Sequence, residues 1–384
     1  MPTRTSLNPG RSPVIAVQQP LLAPPGNLRE LIALSVRGLV PMFDKEKQVF
    51  CHRLVRTDNR IVSEGLSPRY TIMTLLGLRE VEIARIDSPF NTRALYASFA
   101  RDTSWIQGLG DLGLLIWLTA IFAPEQLPSL FSKFELETAP DRYADAQAAR
   151  TMELAWFLAG LAHVAEAAPQ LRSILANLAQ KTYLRLKANQ GAYGLFGHMG
   201  TKHSFAGRLR GRIGSFADQV YPIYALSKYS RTFQVDGALK SASQCAKAIC
   251  DAQGDLGQWW WLYDSRNGRV SSHYPVYAVH QHGMAPMALL ALEEASGENF
   301  SESIYKGLRW LYGANELRVD MIDAEANLIW RCILPQSKLN KYWEMASSRI
   351  RPSNQKVHVG SLKILYEQRP YEFGWLLYAF AKKI

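Results

Sequence analysis

The 384-residue chain has only four cysteines, and none stands at the spacing that metal sites use. Cys51, Cys245, Cys250 and Cys332 form no Cys-x-x-Cys pair and no pattern of a disulfide framework. Few cysteines in a long chain are typical of a reducing compartment. We therefore expect a cytoplasmic protein without disulfides, bound metal or another cofactor.

Long hydrophobic runs are also missing. The longest apolar run, Leu112–Ala123, is shorter than the roughly 20 residues that cross a bilayer. The N-terminus lacks the apolar core of a signal peptide. The sequence therefore predicts no transmembrane segment, although peripheral contact with a membrane stays open.

Acidic residues are outnumbered, because 44 Lys and Arg face 33 Asp and Glu and leave a net charge of +11. A basic surface favours anionic partners such as acidic glycans, and it also contributes to solubility. No block of five basic residues occurs, and the densest stretch, Lys202–Arg212, is interrupted by Gly and Ser. We expect no nucleic-acid partner. The expected substrate is a glycan or sugar conjugate, and one version of this hypothesis makes it anionic.

Proline is concentrated at the N-terminus, where residues 1–26 hold six of the 19 prolines and little periodic pattern. This composition predicts an irregular tail that folding does not require, followed by one domain at 27–384. In that domain, apolar helical segments recur between loops rich in Gly, Pro and Ser. The expected helices lie near 70–83, 92–101, 111–123, 126–136, 147–168, 171–188, 216–230, 237–252, 281–295, 301–314, 357–367 and 371–383.

Alternate segments differ in character. Gly110–Ala123 and Thr151–Val164 are apolar on almost every side, whereas Leu171–Lys187 and Ser301–Tyr312 carry polar residues on one face. A helix that is apolar all round is buried all round. Six buried helices alternating with six half-exposed ones predict an all-α fold, an α/α toroid of six helical hairpins in two concentric rings.

Two loops strengthen this prediction. Gln253–Trp259 reads QGDLGQW, and Gln190–Phe196 reads QGAYGLF with the same spacing. The glycine permits a tight turn, the aromatic ring can wedge between hairpins, and the Gln amide can bond backbone groups at helix ends. The first loop resembles the QxxxGxW repeat of the terpenoid cyclase and protein prenyltransferase toroids.

The aromatic segment Gly257–Met287 also resembles sugar-facing loops of the six-hairpin glycosidases, sugar epimerases and polysaccharide lyases, which share the toroid. It is similar too to toroid proteins of bacterial polysaccharide synthesis. The isoprenoid families use an acidic DxDD motif or an Asp, Cys and His zinc set, and the chain has neither. The nearest acidic pair, Asp320 and Asp323, has the wrong spacing.

Polar residues stand at the beginnings of the apolar segments. In a toroid these helix starts converge on one mouth of the barrel, and helix N-termini attract anions. Asp218 and Glu372 are candidate catalytic carboxylates, although each can instead cap its own helix. The candidate substrate ligands at the other starts are Asp111, Glu153 and Gln219, with Tyr70 beside them.

Two histidines and two tyrosines lie within the nine residues that begin at Tyr274. Histidine can pass protons near neutral pH, and tyrosine can bond a sugar hydroxyl. Tyr277, His280 and His282 are therefore candidate catalytic residues, and Tyr274 a substrate ligand. Alternatively, one histidine caps the helix and the other is buried with a partner. A metal hypothesis lacks a third ligand.

The loop upstream supplies aromatic rings and charges. Trp259 is expected to be the buried wedge, which leaves Trp260 as the platform on which a sugar ring stacks. Further candidate ligands are Tyr263, Asp264 and Arg269, the last of which suits a uronate carboxylate or a phosphate.

The sequence favours a carbohydrate-active enzyme, a hydrolase, epimerase or lyase, that acts on a glycan in polysaccharide synthesis or modification. One alternative is an isoprenoid-handling toroid, which suits the aromatic wealth of the chain. Another is a glycan-binding toroid without catalysis, which would hold an aromatic concave surface and no acid/base pair.

Overall fold

Helices form the framework of the protein in a computed structural model that describes residues 26–58, 60–142, 150–200, 211–336 and 361–384. The tail expected at 1–26 lies, apart from Gly26, outside the described residues. In chain order the helices are α1 (Leu28–Leu39), α2 (Pro68–Ile83), α3 (Thr92–Phe99), α4 (Leu109–Phe122), α5 (Leu127–Lys133), α6 (Ala139–Arg142), α7 (Thr151–Ala167), α8 (Arg172–Lys187), α9 (Ala217–Phe233), α10 (Asp236–Asp251), α11 (Ala285–Ser296), α12 (Ser301–Leu311) and α13 (Pro370–Phe380).

The helices form two rings. The inner ring runs α2, α4, α7, α9, α11 and α13, each packed on the next, and it closes because α13 packs on α2. Every residue from Leu109 to Ala120 of α4 is buried, as the all-round apolar pattern predicts. Outer helices α3, α5, α8, α10 and α12 each pack on the preceding inner helix. The predicted α/α toroid is confirmed.

The sixth hairpin differs from the prediction. The outer partner of α13 is α1, from the opposite end of the described chain. The helix expected at 357–367 is wrong where the structure describes it, because Leu362–Leu365 is a strand. Leu362 is buried and the next residue, Lys363, is exposed, which fits the two-residue period of a strand.

Short strands decorate the barrel and were mostly not predicted. They are β1 (Phe43–Asp44), β2 (Val49–Thr57), β3 (Arg60–Leu66), β4 (Ile213–Ser215), β5 (Leu262–Asp264), β6 (Arg269–Ser272), β7 (Val276–Tyr277), β8 (Ile322–Asp323), β9 (Leu328–Ile329), β10 (Cys332–Pro335), β11 (Leu362–Leu365) and β12 (Glu367–Gln368). They form four small sheets, ordered β1-β2-β12 with β3 on β2, β11-β10-β7, β4-β5-β6 and β8-β9. All eight pairs among the described strands are antiparallel.

The two glutamine loops share one geometry. The Gln253 side-chain amide donates to Gly257 O and to Ser303 O of α12, both at 3.0 Å. The Gln190 amide donates to Gly194 O at 2.7 Å and to Ser241 O of α10 at 2.9 Å. Each loop therefore ties its own hairpin to the outer helix of the next one.

The glycines and aromatic rings of these loops are as constrained as the glutamines. Gly194 and Gly257 have φ angles of +86° and +93°, which side chains rarely adopt. A Cβ on Gly257 would lie 2.1 Å from Lys306 O. Trp259 and Phe196 are completely buried, so Trp259 is the predicted wedge.

Aromatic side chains fill the centre of the barrel. Trp117 of α4 stacks on His163 of α7 at 4.7 Å and on Tyr224 of α9 at 5.0 Å between ring centroids. Trp375 of α13 lies 5.9 Å from Trp117. The barrel is therefore no open channel at this level. None of the described helices is long and apolar enough to cross a membrane.

Candidate functional site

A cavity of about 220 Å³ opens at the end of the barrel where the inner helices begin. This placement agrees with the expectation that helix starts converge on one mouth. Trp375 donates a hydrogen bond from its indole nitrogen to Tyr221 Oη at 2.9 Å below the cavity. The lining residues are Arg69, Tyr70, Met73, Met152, Trp156, Ser215, Ala217, Tyr221, Trp261, Tyr277, His280, Met284, Arg331 and Tyr371.

One guanidinium in the wall belongs to Arg69, in the first turn of α2. Asp111 of α4 accepts from its Nε at 2.8 Å and from its Nη2 at 2.7 Å. The Arg69 guanidinium also lies 5.4 Å from the Trp156 ring. Asp111 is only 3% exposed and lies behind Arg69. It therefore orients the arginine and does not itself line the cavity.

The second guanidinium belongs to Arg331, which precedes β10. It pairs with the fully buried Glu372 and lies 3.4 Å from Glu367, measured from its Nε. Its guanidinium is 5.0 Å from the Tyr277 ring. Burial raises the pKa of Glu372 to about 7, against the opposing effect of Arg331. Glu372, predicted to be catalytic, instead lies behind the wall and holds Arg331.

A wider ion network supports this wall. Glu367 of β12 accepts from Arg369 at 2.6 Å and from Arg53 of β2 at 2.9 Å. Arg369 in turn donates to the Tyr70 hydroxyl in the cavity at 2.8 Å. The residues Arg53, Glu367 and Arg369 thus link the β2 sheet to the mouth.

His280 and Tyr277 line the cavity, as a catalytic or binding role requires. Burial lowers the pKa of His280 to about 3, so its imidazole is neutral near pH 7. Its Nδ1 lies 3.5 Å from Trp259 O, and its ring is parallel to Trp261 within 8°. Burial also raises the pKa of Tyr277 to about 12, which keeps the hydroxyl protonated.

His282 is not in the cavity. It is completely buried, and neither ring nitrogen has a hydrogen-bond partner among the described residues. The two histidines are two residues apart in the helical segment His280–Met284, and side chains at that spacing do not face the same side. Its predicted catalytic role is therefore contradicted by its position. The described residues include no group of three side chains suited to hold a metal ion.

Asp218 caps its own helix. Its Oδ2 accepts from the Ser215 backbone N–H at 2.9 Å, while the Asp218 N–H donates to Ser215 Oγ at 3.3 Å. This reciprocal pair is of the capping-box type. His198 Nδ1 lies 3.1 Å from the same carboxylate oxygen, and the Asp218 side chain is 1% exposed. The capping alternative therefore describes Asp218, whose carboxylate does not line the cavity.

Gln219 is a structural residue as well. Its amide accepts from Phe196 N–H at 2.8 Å and donates to Phe196 O at 2.9 Å. It is completely buried beneath the Gln190–Phe196 loop. This position does not support the predicted contact with substrate.

The aromatic loop places a different tryptophan in the site. Trp260 donates from its indole nitrogen to Ala252 O at 2.7 Å and meets His273 edge-on at 4.4 Å. Trp261 is the one that lines the cavity. The cavity wall therefore holds the ring that follows the predicted one.

The other loop candidates lie outside the cavity. Tyr263 is buried, and its hydroxyl accepts from Trp260 N–H at 3.2 Å. Asp264 is 5% exposed and pairs with Arg266. The Tyr274 hydroxyl donates to Glu316 at 3.1 Å, and Arg269 is exposed in β6. These four residues are not among those that line the cavity.

Glu153 is a partly exposed carboxylate beside the mouth. It stands in the first turn of α7, between the cavity residues Met152 and Trp156, and its side chain is 22% exposed. Arg150 lies 3.5 Å from one of its oxygens. The side chain packs against Gly110, the residue before Asp111. The two predicted ligands Asp111 and Glu153 therefore share one corner of the barrel mouth.

Solved structures with the same fold come from carbohydrate-active enzymes. A possible member of glycoside hydrolase family 105 from Klebsiella pneumoniae has a TM-score of 0.59 and 14% identity, covering 97% of this chain and 99% of its own. An unsaturated glucuronyl hydrolase from a Bacillus species has a TM-score of 0.56 and 14% identity, with 92% and 94% covered. A glycosyl hydrolase family 88 protein from Bacteroides vulgatus has a TM-score of 0.54 and 12% identity, covering 93% of this chain and 97% of its own.

These likenesses establish the six-hairpin toroid fold over nearly the whole chain. No protein-family model matches the sequence. No curated protein matches it significantly either.

Proposed function

We propose that the chain is a carbohydrate-active hydrolase whose mouth cavity binds one anionic sugar ring at the end of a glycan. The observation that carries the proposal is the pair of guanidinium groups, of Arg69 and Arg331, in a wall otherwise built mainly of aromatic and methionine side chains. Arginine binds planar carboxylates through two parallel hydrogen bonds. Aromatic faces and tyrosine hydroxyls suit the apolar faces and hydroxyls of a sugar.

The size of the cavity supports a single ring. Its volume of about 220 Å³ lies below the roughly 300–1,000 Å³ of pockets for larger ligands. The aromatic residues around Trp117 and Trp375 close it from below. The remaining sugars of a chain would therefore extend outward from the mouth.

Glu153 is our candidate for the acid/base group. Hydrolysis of a sugar bond needs a carboxyl group that reaches the substrate directly or through one water. Asp111, Asp218 and Glu372 are each held by other side chains behind the wall. Neutral His280 would accept a hydrogen bond from a sugar hydroxyl or from water, because its Nδ1 faces Trp259 O.

The fold neighbours indicate which substrates to test. Several are unsaturated glucuronyl hydrolases, one of them described as specific for heparin. The purified chain is incubated with unsaturated glucuronyl disaccharides, and loss of the ultraviolet absorbance of the conjugated double bond is followed. We expect turnover by the wild type and its loss in Glu153→Gln. The exposed variant Glu325→Gln is the matched control.

A glycan-binding protein without catalysis is the second candidate. One observation favours it, namely that no carboxylate is among the described residues that line the cavity. Binding of the disaccharide without turnover would support this candidate. If the chain neither binds nor turns over any anionic sugar, both candidates are contradicted.

Isoprenoid chemistry fits the site poorly. Such enzymes stabilise carbocations with aromatic faces. Two guanidinium groups in the same wall, from Arg69 and Arg331, oppose a positive intermediate.

A further inference from the structure

Strand β3 has an exposed free edge. It pairs through one edge with β2, in an unbroken register from Thr57↔Arg60 to Arg53↔Glu64. No described strand pairs with its other edge. All seven residues of β3 are exposed. Such an edge presents unpaired N–H and C=O groups on which another strand can add.

The edge carries few of the features that usually prevent pairing. Ile61 is 41% exposed, and Val62 and Leu66 are each 44% exposed. The register has no bulge between Arg60 and Glu64, and β3 has no proline. Natural edges of this length normally carry such features. Arg60 and Glu64 are the charged residues of this edge, and without a bulge or a proline they leave it open to pairing with a partner strand.

The pairing with β2 determines which groups face outward. Thr57 and Arg60 pair across a two-residue connection, and the pair that closes such a hairpin exchanges hydrogen bonds. Because hydrogen-bonded and non-hydrogen-bonded pairs alternate, Val62 also bonds inward to β2. The N–H and C=O groups of Ile61 and Ser63 therefore point away from β2.

We propose that β3 pairs antiparallel with β3 of a second copy of this chain, about a two-fold axis at Val62. In this register Ile61 exchanges hydrogen bonds with Ser63 of the partner subunit. Val62 meets Val62 of the partner subunit as a close, non-hydrogen-bonded pair. Two-fold homodimers are the commonest oligomers, and their interfaces use the same patch twice.

Charge complementarity selects this register. Arg60 falls opposite Glu64 of the partner subunit, and the axis repeats the pair, so two ion pairs form. A two-fold axis at Ile61 or at Ser63 would instead place Val62 of the partner subunit opposite one of the two charges. Glu64 now accepts from Arg53 at 2.7 Å and is still 45% exposed. A carboxylate accepts from more than one guanidinium, so room remains for a second arginine.

The test uses charge reversal at the two positions. Sedimentation velocity of the full chain over a range of concentrations measures the dimer dissociation constant. We expect a dimer for the wild type. Arg60→Glu alone faces glutamate with glutamate, and Glu64→Arg alone faces arginine with arginine, so each variant raises the constant about tenfold or more.

Mixing the two variants separates pairing from misfolding. The mixed dimer has two complementary pairs, so dimerisation returns, which a misfolded chain would not allow. Arg29→Glu on α1 is an exposed control with the same change in charge and leaves the wild-type constant unchanged. A monomeric wild type, or variants that dimerise as the wild type does without any gain on mixing, would overturn the proposal.

Discussion

Arg331 and Glu372 form an ion pair in the cavity wall in which the glutamate side chain is fully buried and the arginine is 9% exposed. A buried pair of this kind stabilises little by itself, but loss of one partner is costly because the other charge stays buried. The pair therefore holds a cationic group at the mouth without leaving a carboxylate exposed to the ligand.

Replacing Arg331 tests whether Glu372 destabilises the fold once its partner is lost. We expect Arg331→Met to lower the free energy of unfolding by about 3–5 kcal/mol at pH 8. Burial raises the pKa of Glu372, and loss of Arg331 removes the charge that opposes this rise. The carboxyl of the variant therefore takes up a proton as the pH falls, and the loss is smaller at pH 5 than at pH 8. Urea unfolding at both pH values measures this. The double variant Arg331→Met with Glu372→Gln is expected to regain much of the stability. Equal losses at both pH values, with no recovery in the double variant, would contradict the role of the pair.

Buried His282 makes stability depend on pH. Burial lowers its pKa to about 3, below the unfolded value near 6.5. The unfolded chain therefore binds more protons between these values, so stability falls as the pH drops through this range, by about 1.4 kcal/mol per pH unit for one fully titrating group. We expect His282→Leu to make the slope shallower by one proton. An unchanged slope would show that His282 titrates normally in the folded protein.

The Gln253–Trp259 loop is expected to contribute to stability and not to chemistry. We expect Trp259→Ala to cost about 3–5 kcal/mol, as large-to-small core changes do. Gly257→Ala also destabilises, since its φ angle is +93° and Lys306 O blocks the Cβ. Chemical denaturation measures both. Leu184→Ala, at a site 55% exposed, is the control and changes stability by about 0.5 kcal/mol or less. A wild-type midpoint for Trp259→Ala would contradict the wedge.

Asp218 and Glu153 are expected to behave oppositely. Asp218→Ala removes a cap and costs about 0.5–2 kcal/mol, while the molecules that remain folded keep their activity. Glu153→Gln leaves the melting temperature unchanged and abolishes turnover. Thermal melts and rates per folded molecule on both variants decide this. Loss of turnover in a fully stable Asp218 variant would restore Asp218 as the catalytic carboxylate.

The inner helices could be predicted because burial on all sides requires apolar residues on all sides, as in Leu109–Phe122. The partner of α13 could not, since nothing in Leu28–Leu39 indicates that the two ends of the chain close one hairpin. The site was predicted in part. The positions of the helix starts predicted Tyr70 and the histidine segment as site residues, because a toroid brings these starts to one mouth.

The remaining site residues had no signal in the sequence. Arg331 stands beside a short strand, with no spacing that relates it to Arg69. Trp261 and Trp260 are chemically alike, so only the path of the backbone decides which ring faces the cavity. By contrast, the separation of His280 from His282 could have been foreseen, because residues two apart on a helix do not face the same side.

The central claim is that the guanidinium pair of the cavity recognises an anionic sugar. Titration calorimetry can compare disaccharides that end in glucuronate or in glucose and are otherwise identical. We predict that the wild type binds the glucuronate form at least about tenfold more tightly, as charge-assisted hydrogen bonds require. Arg69→Gln is predicted to lose most of this preference while keeping its fold. Equal affinity of the wild type for both sugars, or no binding of either, would contradict the claim.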